Sequence, residues 1–176
     1  MQIHLPDAAE TAGKYLEYEF PYGKDQIRLQ TGVYPVTDHG CLHLTLENTG
    51  NKILLIEGSG QVTVSIPCDR CLEPASVRIP LSFSRKLDMK LSHEALISQL
   101  DESSYLDGTD LDTDELFTLE ILMNWPSKVL CKETCKGLCA RCGKNLNDGP
   151  CGCEEIEADP RMAGIRDLFE RMKNQN

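Results

Sequence analysis

Eight of the nine cysteines in this 176-residue chain fall into four close pairs. Two residues separate Cys68 from Cys71, three separate Cys131 from Cys135, two separate Cys139 from Cys142, and one separates Cys151 from Cys153. Two thiolates so spaced take adjacent corners of one tetrahedron, roughly 2.3 Å from a bound ion. Four pairs therefore predict two four-cysteine sites holding two structural zinc ions. Any fold for this chain must bring the pairs together two by two.

One closure is local. In Cys139-Ala140-Arg141-Cys142-Gly143 the glycine lets the backbone turn tightly enough for amide N–H groups to face sulfur. Asn145, Asn147 and Asp148-Gly149-Pro150 supply the turn residues that return Cys151 and Cys153 to the same ion. The other closure is long. Cys68 and Cys71 lie between two strand-like stretches with no cysteine near them, and Cys131 and Cys135, just past Pro126, are their natural partners. That site would staple a β-module to a C-terminal module and restrain about sixty residues of chain. A partition joining Cys68 and Cys71 to Cys139 and Cys142 stays open on sequence alone.

Other uses of these cysteines fit less well. A redox Cys-x-x-Cys opens a helix after a strand, whereas Cys68 interrupts a hairpin. An iron–sulfur cluster also accepts four cysteines, but the tight spacings suit zinc knuckles. Cys41 reads as a strand thiol on the same strand face as His43, where a stray metal site is conceivable. His4, His39, His43 and His93 all precede the C-terminal cluster and show no ligand spacing with it. A catalytic zinc needs an open coordination position, and paired cysteines leave none. With no glycine-rich phosphate loop and no G-x-S-x-G elbow, the expectation is a non-enzyme with no small-molecule substrate.

Along the chain, residues 1–90 read as an antiparallel β-module. Leu42, Leu44 and Leu46 alternate with polar residues, Asn48-Thr49-Gly50-Asn51 is a turn, and Lys52–Glu57 is a buried strand. After a Gly58-Ser59-Gly60 break come Val62, Val64 and Ile66, then Val77, Ile79, Leu81 and Phe83, with Pro80 marking an edge or a bulge. Residues 91–127 form an acidic linker and a buried helix. Ser92–Leu100 is a short helix, the seven acidic residues from Asp101 to Glu115 form a solvated loop, and Thr113–Trp125 is a helix stopped by Pro126. Asp110 to Asp114 resembles the start of a calcium loop but fails it, since Glu115 stands where Gly is needed and Ile121 where Glu is needed. Residues 128–176 are a cysteine-rich zinc module and a C-terminal helix begun by Asp159-Pro160, whose stripe of Ile165, Leu168, Phe169 and Met172 docks on the protein itself. The predicted class is α+β: an antiparallel sheet or small open barrel, a few helices and a C-terminal zinc knuckle.

The net charge of −10 argues against coating nucleic acid by bulk attraction. Four thiolates around one divalent ion add a further −2 per site, so a metal-loaded chain is more acidic still. The first residues have neither the basic nor the apolar region of a signal peptide, and no run nears the roughly 18 apolar residues that span a bilayer. The expected setting is a reducing cytoplasm, where clustered cysteines are metal ligands before they are disulfides.

Taken together, Cys68-Asp69-Arg70-Cys71-Leu72-Glu73, the acidic stretch running to Leu116…Glu120…Leu122 and Trp125-Pro126, Cys135-Lys136-Gly137-Leu138-Cys139-Ala140-Arg141-Cys142-Gly143-Lys144-Asn145-Leu146-Asn147, Cys151-Gly152-Cys153 and Asp159-Pro160-Arg161 resemble the YceD-like family of bacterial and plastid proteins. The resemblance covers about residues 15 to 172. It implies a part in accumulating or processing large-subunit ribosomal RNA, hence in ribosome biogenesis, with no established enzymatic activity.

A contact surface must come from the charges. Between residues 128 and 144 stand Lys128, Lys132, Lys136, Arg141 and Lys144 against Glu133 alone. That local basic segment suits phosphate, in precursor rRNA or an assembling large-subunit particle; equally, the lysines can simply offset thiolate charge. It lacks interleaved aromatics for reading bases. A second reading makes the protein an acidic chaperone whose Asp101–Glu115 segment shields a basic ribosomal protein. A third is a zinc- or redox-responsive interaction protein.

Overall fold

The computed structural model describes residues 1–89, 105–107, 109–153 and 172, in two compact units, Met1–Cys135 and Lys136–Asn176. A long hairpin is the spine of the first unit. Its arms, β6 (Ile53–Pro67) and β7 (Pro74–Asp88), pair antiparallel from Ile53↔Asp88 to Pro67↔Pro74. The other edge of β6 is shared. Strand β5 (Leu42–Gly50) covers Ile53 to Ser59, and β4 (Gly32–Asp38) covers Thr63 and Val64. Strand β2 (Tyr15–Phe20) lies outside β5, and β3 (Gln26–Leu29) lies outside β4. Alternation sets which face is wet: Leu42, Leu44, Leu46, Val62, Val64 and Ile66 are buried, while Cys41, His43 and Glu47 are exposed.

The Gly58-Ser59-Gly60 segment differs from the sequence expectation. The chain does not break there; β6 runs straight through it. The glycines serve close approach instead of a turn. A Cβ on Gly58 would lie 2.2 Å from the Phe83 ring, and one on Gly60 would lie 2.8 Å from the Cys41 carbonyl oxygen. The actual turn before β6 is Asn51-Lys52, both at positive φ (55° and 61°), as a two-residue hairpin with right-handed strand twist demands. Pro80 sits where its missing N–H is tolerated, on β7, whose pairing among the described residues is with β6 alone.

A smaller sheet joins β1 (Gln2–His4), β9 (Asp110–Asp112) and β8 (Leu106–Asp107). Part of the acidic run is therefore not a solvated loop. Tyr105, Leu106 and Leu111 are buried and anchor it, and its carboxylates are put to structural use. A short helix, α1 (Leu5–Ala9), follows β1. Asp112 caps α2 (Thr113–Met123), its Oδ1 accepting from the Asp114 and Glu115 amides at 2.9 and 3.2 Å. Helix α2 buries Leu116, Phe117 and Ile121, with Phe117 edge-on to Phe20 and Phe83 at 5.8 and 5.4 Å. Its buried Glu120 carboxylate is paired with Arg85 of β7, whose guanidinium also lies over the Tyr105 ring. The observed class is the expected antiparallel α+β fold, with open sheets. The expected helices at Ser92–Leu100 and from Asp159 lie outside the described residues.

In the second unit the described stretch is a compact turn assembly. Leu138 and Asn145 form an isolated antiparallel bridge, and a single 3-10 turn spans Leu146–Asp148.

Candidate metal centres

The β6–β7 hairpin tip places Cys68 and Cys71 where the chain beyond α2 returns. Cys68 Sγ lies 3.8 Å from Cys135 Sγ, and Cys71 Sγ lies 3.5 Å from Cys131 Sγ. A tetrahedron with bonds of roughly 2.3 Å has edges of roughly 3.8 Å, so these separations suit four ligands of one ion. All nine cysteines are free thiols, and a disulfide would need roughly 2.05 Å. Three of the quartet, Cys68, Cys71 and Cys135, are buried.

Two residues between the first pair of cysteines, to which spacing alone assigns no role, hold this centre together. Asp69 donates its amide to the Val129 carbonyl at 2.9 Å and accepts the Val129 amide on Oδ2 at 2.7 Å. Arg70 donates from Nη1 to the Cys135 carbonyl at 2.8 Å. The tip and the 129–135 segment are thus joined by main-chain-directed bonds as well as by sulfur. All four ligands belong to the first unit, including Cys131 and Cys135.

The second quartet, Cys139, Cys142, Cys151 and Cys153, lies within the second unit, every sulfur within 4.8 Å of the others. It is more open: Cys142 and Cys153 are exposed, Cys139 and Cys151 half-buried. Asn145 shapes the return, its Oδ1 accepting from the Asn147 amide at 3.0 Å. Asn147 in turn accepts the Lys136 amide, also at 3.0 Å.

Both centres are built on one turn. In the first, the Cys68 amide donates to the Glu73 carbonyl at 2.8 Å and the Leu72 amide to the Cys68 carbonyl at 2.9 Å. In the second, the Cys139 amide donates to the Lys144 carbonyl at 2.8 Å and the Gly143 amide to the Cys139 carbonyl at 2.9 Å. The residue after the second cysteine is left-handed in each, Leu72 at φ 63° and Gly143 at φ 72°.

The electrostatics of each quartet fit a cation. Burial raises the Cys68 thiol, but the Arg70, Cys131 and Cys71 amides aimed at its sulfur outweigh this and bring it down to about 6. The Cys142 and Arg141 amides do the same for Cys139, also to about 6. The last thiols resist. The Glu73 amide favours the Cys71 thiolate, yet burial and the hydrogen-bonded sulfurs of Cys131, Cys68 and Cys135 push it up to about 12. Cys153 is pushed up to about 12 by Cys142 and Cys151. In each cluster one thiol is lowered and another raised, so a full set of four thiolates needs a divalent ion among them. Each quartet can hold one metal ion, and each is the one that local closure and the hairpin argument put together.

The basic residues divide between the units. Lys128 and Lys132 are exposed near the first centre, and Lys136, Arg141 and Lys144 are exposed in the second unit, where Lys144 Nζ also reaches the Pro150 carbonyl at 3.0 Å. Beside the hairpin tip runs a groove of about 300 Å³ lined by Tyr34, Trp125 and Leu72, the two rings 5.1 Å apart and Leu72 66% exposed. These aromatics are invisible as a set in the sequence because one comes from β4 and the other from the chain just past α2. Cys41 is not the expected strand thiol: it lies just before β5, and it is not solitary. It donates to Glu19 at 2.9 Å, and Glu19, Cys41 and His43 bring their donor atoms within 4.8 Å of one another. The signal for Glu19 exists only across the β2–β5 pairing, where it faces His43.

No helix among the described residues is long and apolar enough to cross a membrane. No solved structure matches the chain. Among curated proteins it is 25% identical over 153 residues to "Large ribosomal RNA subunit accumulation protein YCED homolog 1, chloroplastic" of Arabidopsis thaliana, covering 70% of this chain and 47% of that one. An uncharacterized protein of Mycobacterium tuberculosis (strain ATCC 25618 / H37Rv) is 24% identical over 128 residues, covering 73% of this chain and 61% of that one. The chain thus spans about half of the plant relative's length and about three fifths of the mycobacterial one's. The model of the family described as "Large ribosomal RNA subunit accumulation protein YceD" matches residues 56–169, which take in both cysteine quartets, and the chain belongs to that family.

Proposed function

We propose that this protein promotes accumulation of large-subunit ribosomal RNA as a zinc-stapled binding factor of the cytoplasm. It contacts precursor rRNA or an assembling large-subunit particle and catalyses no reaction. The observation that carries this reading is the placing of exposed cations beside both cysteine quartets, in a family member whose overall charge is −10. In so acidic a chain phosphate is met by local cations or not at all. Lys128 and Lys132 supply them in the first unit, and Lys136, Arg141 and Lys144 in the second. The Tyr34–Trp125 groove adds the ring surface on which an unpaired base can stack, which the basic segment itself lacks.

Zinc, when bound, supplies closed tetrahedral coordination and cancels half the charge of its four thiolates. The chain's own residues do the rest. Asp69 and Arg70 fix the first quartet on the hairpin tip, Asn145 and Asn147 fold the second, and the lysines project from both. Four sulfurs per ion leave no position for substrate, which is why the centres read as structural. The acidic-chaperone reading draws no support from the described carboxylates. Asp110 pairs with His4, Asp112 caps α2, Asp114 accepts the Gly23 amide and Glu115 pairs with Lys24.

The test is binding of large-subunit precursor RNA across a salt series. Reversing Lys132, Lys136, Arg141 and Lys144 to Glu should abolish it while metal content stays at the wild-type level. Each lost contact on single-stranded RNA should flatten the log–log salt slope by roughly 0.7. Undiminished binding by the fully metallated variant would sink the reading.

A further inference from the structure

We propose a third metal site, formed by Glu19, Cys41 and His43 on the outer face of the β2–β5 ribbon, that takes one exchangeable divalent ion of the zinc class. Pairing sets Glu19 of β2 directly opposite His43 of β5, and Cys41, the residue just before β5, brings its sulfur to the same two donors. Their sulfur, nitrogen and oxygen donors lie within 4.8 Å of one another, and all three residues are exposed to arriving metal. Donors around a tetrahedral ion stand roughly 3.3–3.8 Å apart, so small side-chain rotations complete the site.

The main chain under it is fixed. Gly40, at φ 59°, is pressed on β6 so closely that a Cβ there would lie 1.9 Å from the Gln61 carbonyl oxygen. Next to Gln61 on β6, Gly60 admits the Cys41 carbonyl, where a Cβ would lie 2.8 Å from that oxygen. Cys41 is therefore carried on a segment packed against β6 at two adjacent glycine contacts. Its S–H now points at the Glu19 carboxylate, 2.9 Å away. A divalent ion replaces that proton, which passes to solvent. The ion then meets one thiolate, one carboxylate and one neutral imidazole, and the charges cancel.

This donor set differs in kind from the quartets. Three mixed ligands leave a fourth position to water, the arrangement of open sites, not closed ones. His43 also lines an open cleft of about 470 Å³ with Thr45, Glu57, Ser59 and Phe83, which leaves solvent room on that side. One thiolate with one imidazole and one carboxylate suits Zn²⁺ and its spectroscopic stand-in Co²⁺.

The experiment counts metal on the full chain. Elemental analysis first fixes the tightly held content, and equilibrium dialysis against Zn²⁺ should then add one further equivalent per chain. Cys41→Ser and His43→Gln should each lose that added equivalent and keep the tightly held content and the wild-type circular dichroism. With Co²⁺ at the added site, a thiolate-to-cobalt absorption band should appear and vanish in Cys41→Ser. No added equivalent, or one that survives both substitutions, overturns the proposal. Loss of the tightly held metal alone would count against the quartets instead, and would leave the added equivalent as the readout for this site.

Discussion

The two cysteine quartets share a ligand set and a turn, yet they are tied into the chain differently. Ligands of the first come from segments 60 to 67 residues apart, and three of its four sulfurs are buried. Those of the second span fifteen residues, 139 to 153, and two of its sulfurs are exposed. Loop entropy does not explain the difference. Closing a loop of about sixty residues restrains the unfolded chain by roughly 4 kcal/mol, against roughly 3 kcal/mol for fifteen residues. What differs is the attachment. The first centre closes on the tip of the longest hairpin in the described structure, whereas the second is itself the frame of its segment. The same chemistry serves once as a long-range staple and once as a local core.

The largest effect expected follows directly. Cys68→Ser or Cys135→Ser should remove one metal and lower the stability of the β unit by about 4 kcal/mol, roughly 10–15 °C in its melting transition. Cys142→Ser should also remove one metal but leave that transition in place, with amide protection lost only around residues 136–153. Equal falls in melting temperature for the two variants would break the comparison.

Next come the bonds that aim the ligands. Asp69→Ala leaves the Val129 amide without its carboxylate acceptor, at a cost of roughly 1–3 kcal/mol. Its counterpart, Asn145→Ala, removes a turn cap worth about 1 kcal/mol and acts on the second centre alone. Chelator competition at each centre, with the other knocked out by serine, measures both. An Asp69→Ala protein holding its first metal as firmly as wild type would mean that sulfur alone positions the tip.

How far these pairings could be read in advance depends on distance along the chain. Cys139 to Cys153 is legible because every ligand and turn residue is local, down to Gly143 at φ 72°. The first quartet is legible only by elimination, since Asp69 and Arg70 act on backbone groups some sixty residues away. Gly58 and Gly60 mislead for a related reason. A glycine that admits Phe83 or the Cys41 carbonyl looks, in sequence, like one that turns the chain. Glu19 stays hidden because its partner is chosen by strand register. The acidic stretch hides its three buried apolar residues, Tyr105, Leu106 and Leu111, among many carboxylates.

A smaller effect separates the two turns. Gly143→Ala keeps free space around the new Cβ, so its penalty is the left-handed backbone alone, about 1 kcal/mol or a fivefold loss of metal affinity. Leu72 already bears that penalty at φ 63°. Leu72→Gly should relieve it while adding chain entropy of similar size to the unfolded state, for a net change near zero. If Leu72→Gly instead weakens the first centre severalfold, the leucine side chain is holding the tip.

The smallest effect lies outside both centres and calibrates them. Asp110 accepts from His4 Nδ1 at 2.6 Å and raises the imidazole above its ordinary 6.5. The folded state therefore holds that proton more tightly than the unfolded chain. The pair's contribution is complete below pH 6.5 and is lost as pH rises through the folded-state value. The metal centres run the other way, because thiols must lose protons to bind and acid competes with the ion. Denaturant midpoints of metal-loaded protein between about pH 5 and 8 should thus combine a rising metal contribution with a slight falling one from His4. His4→Gln should remove only the falling part, and chelation only the rising part. If His4→Gln leaves the profile unchanged, the exposed pair is screened out by solvent, and the whole pH dependence belongs to the cysteines.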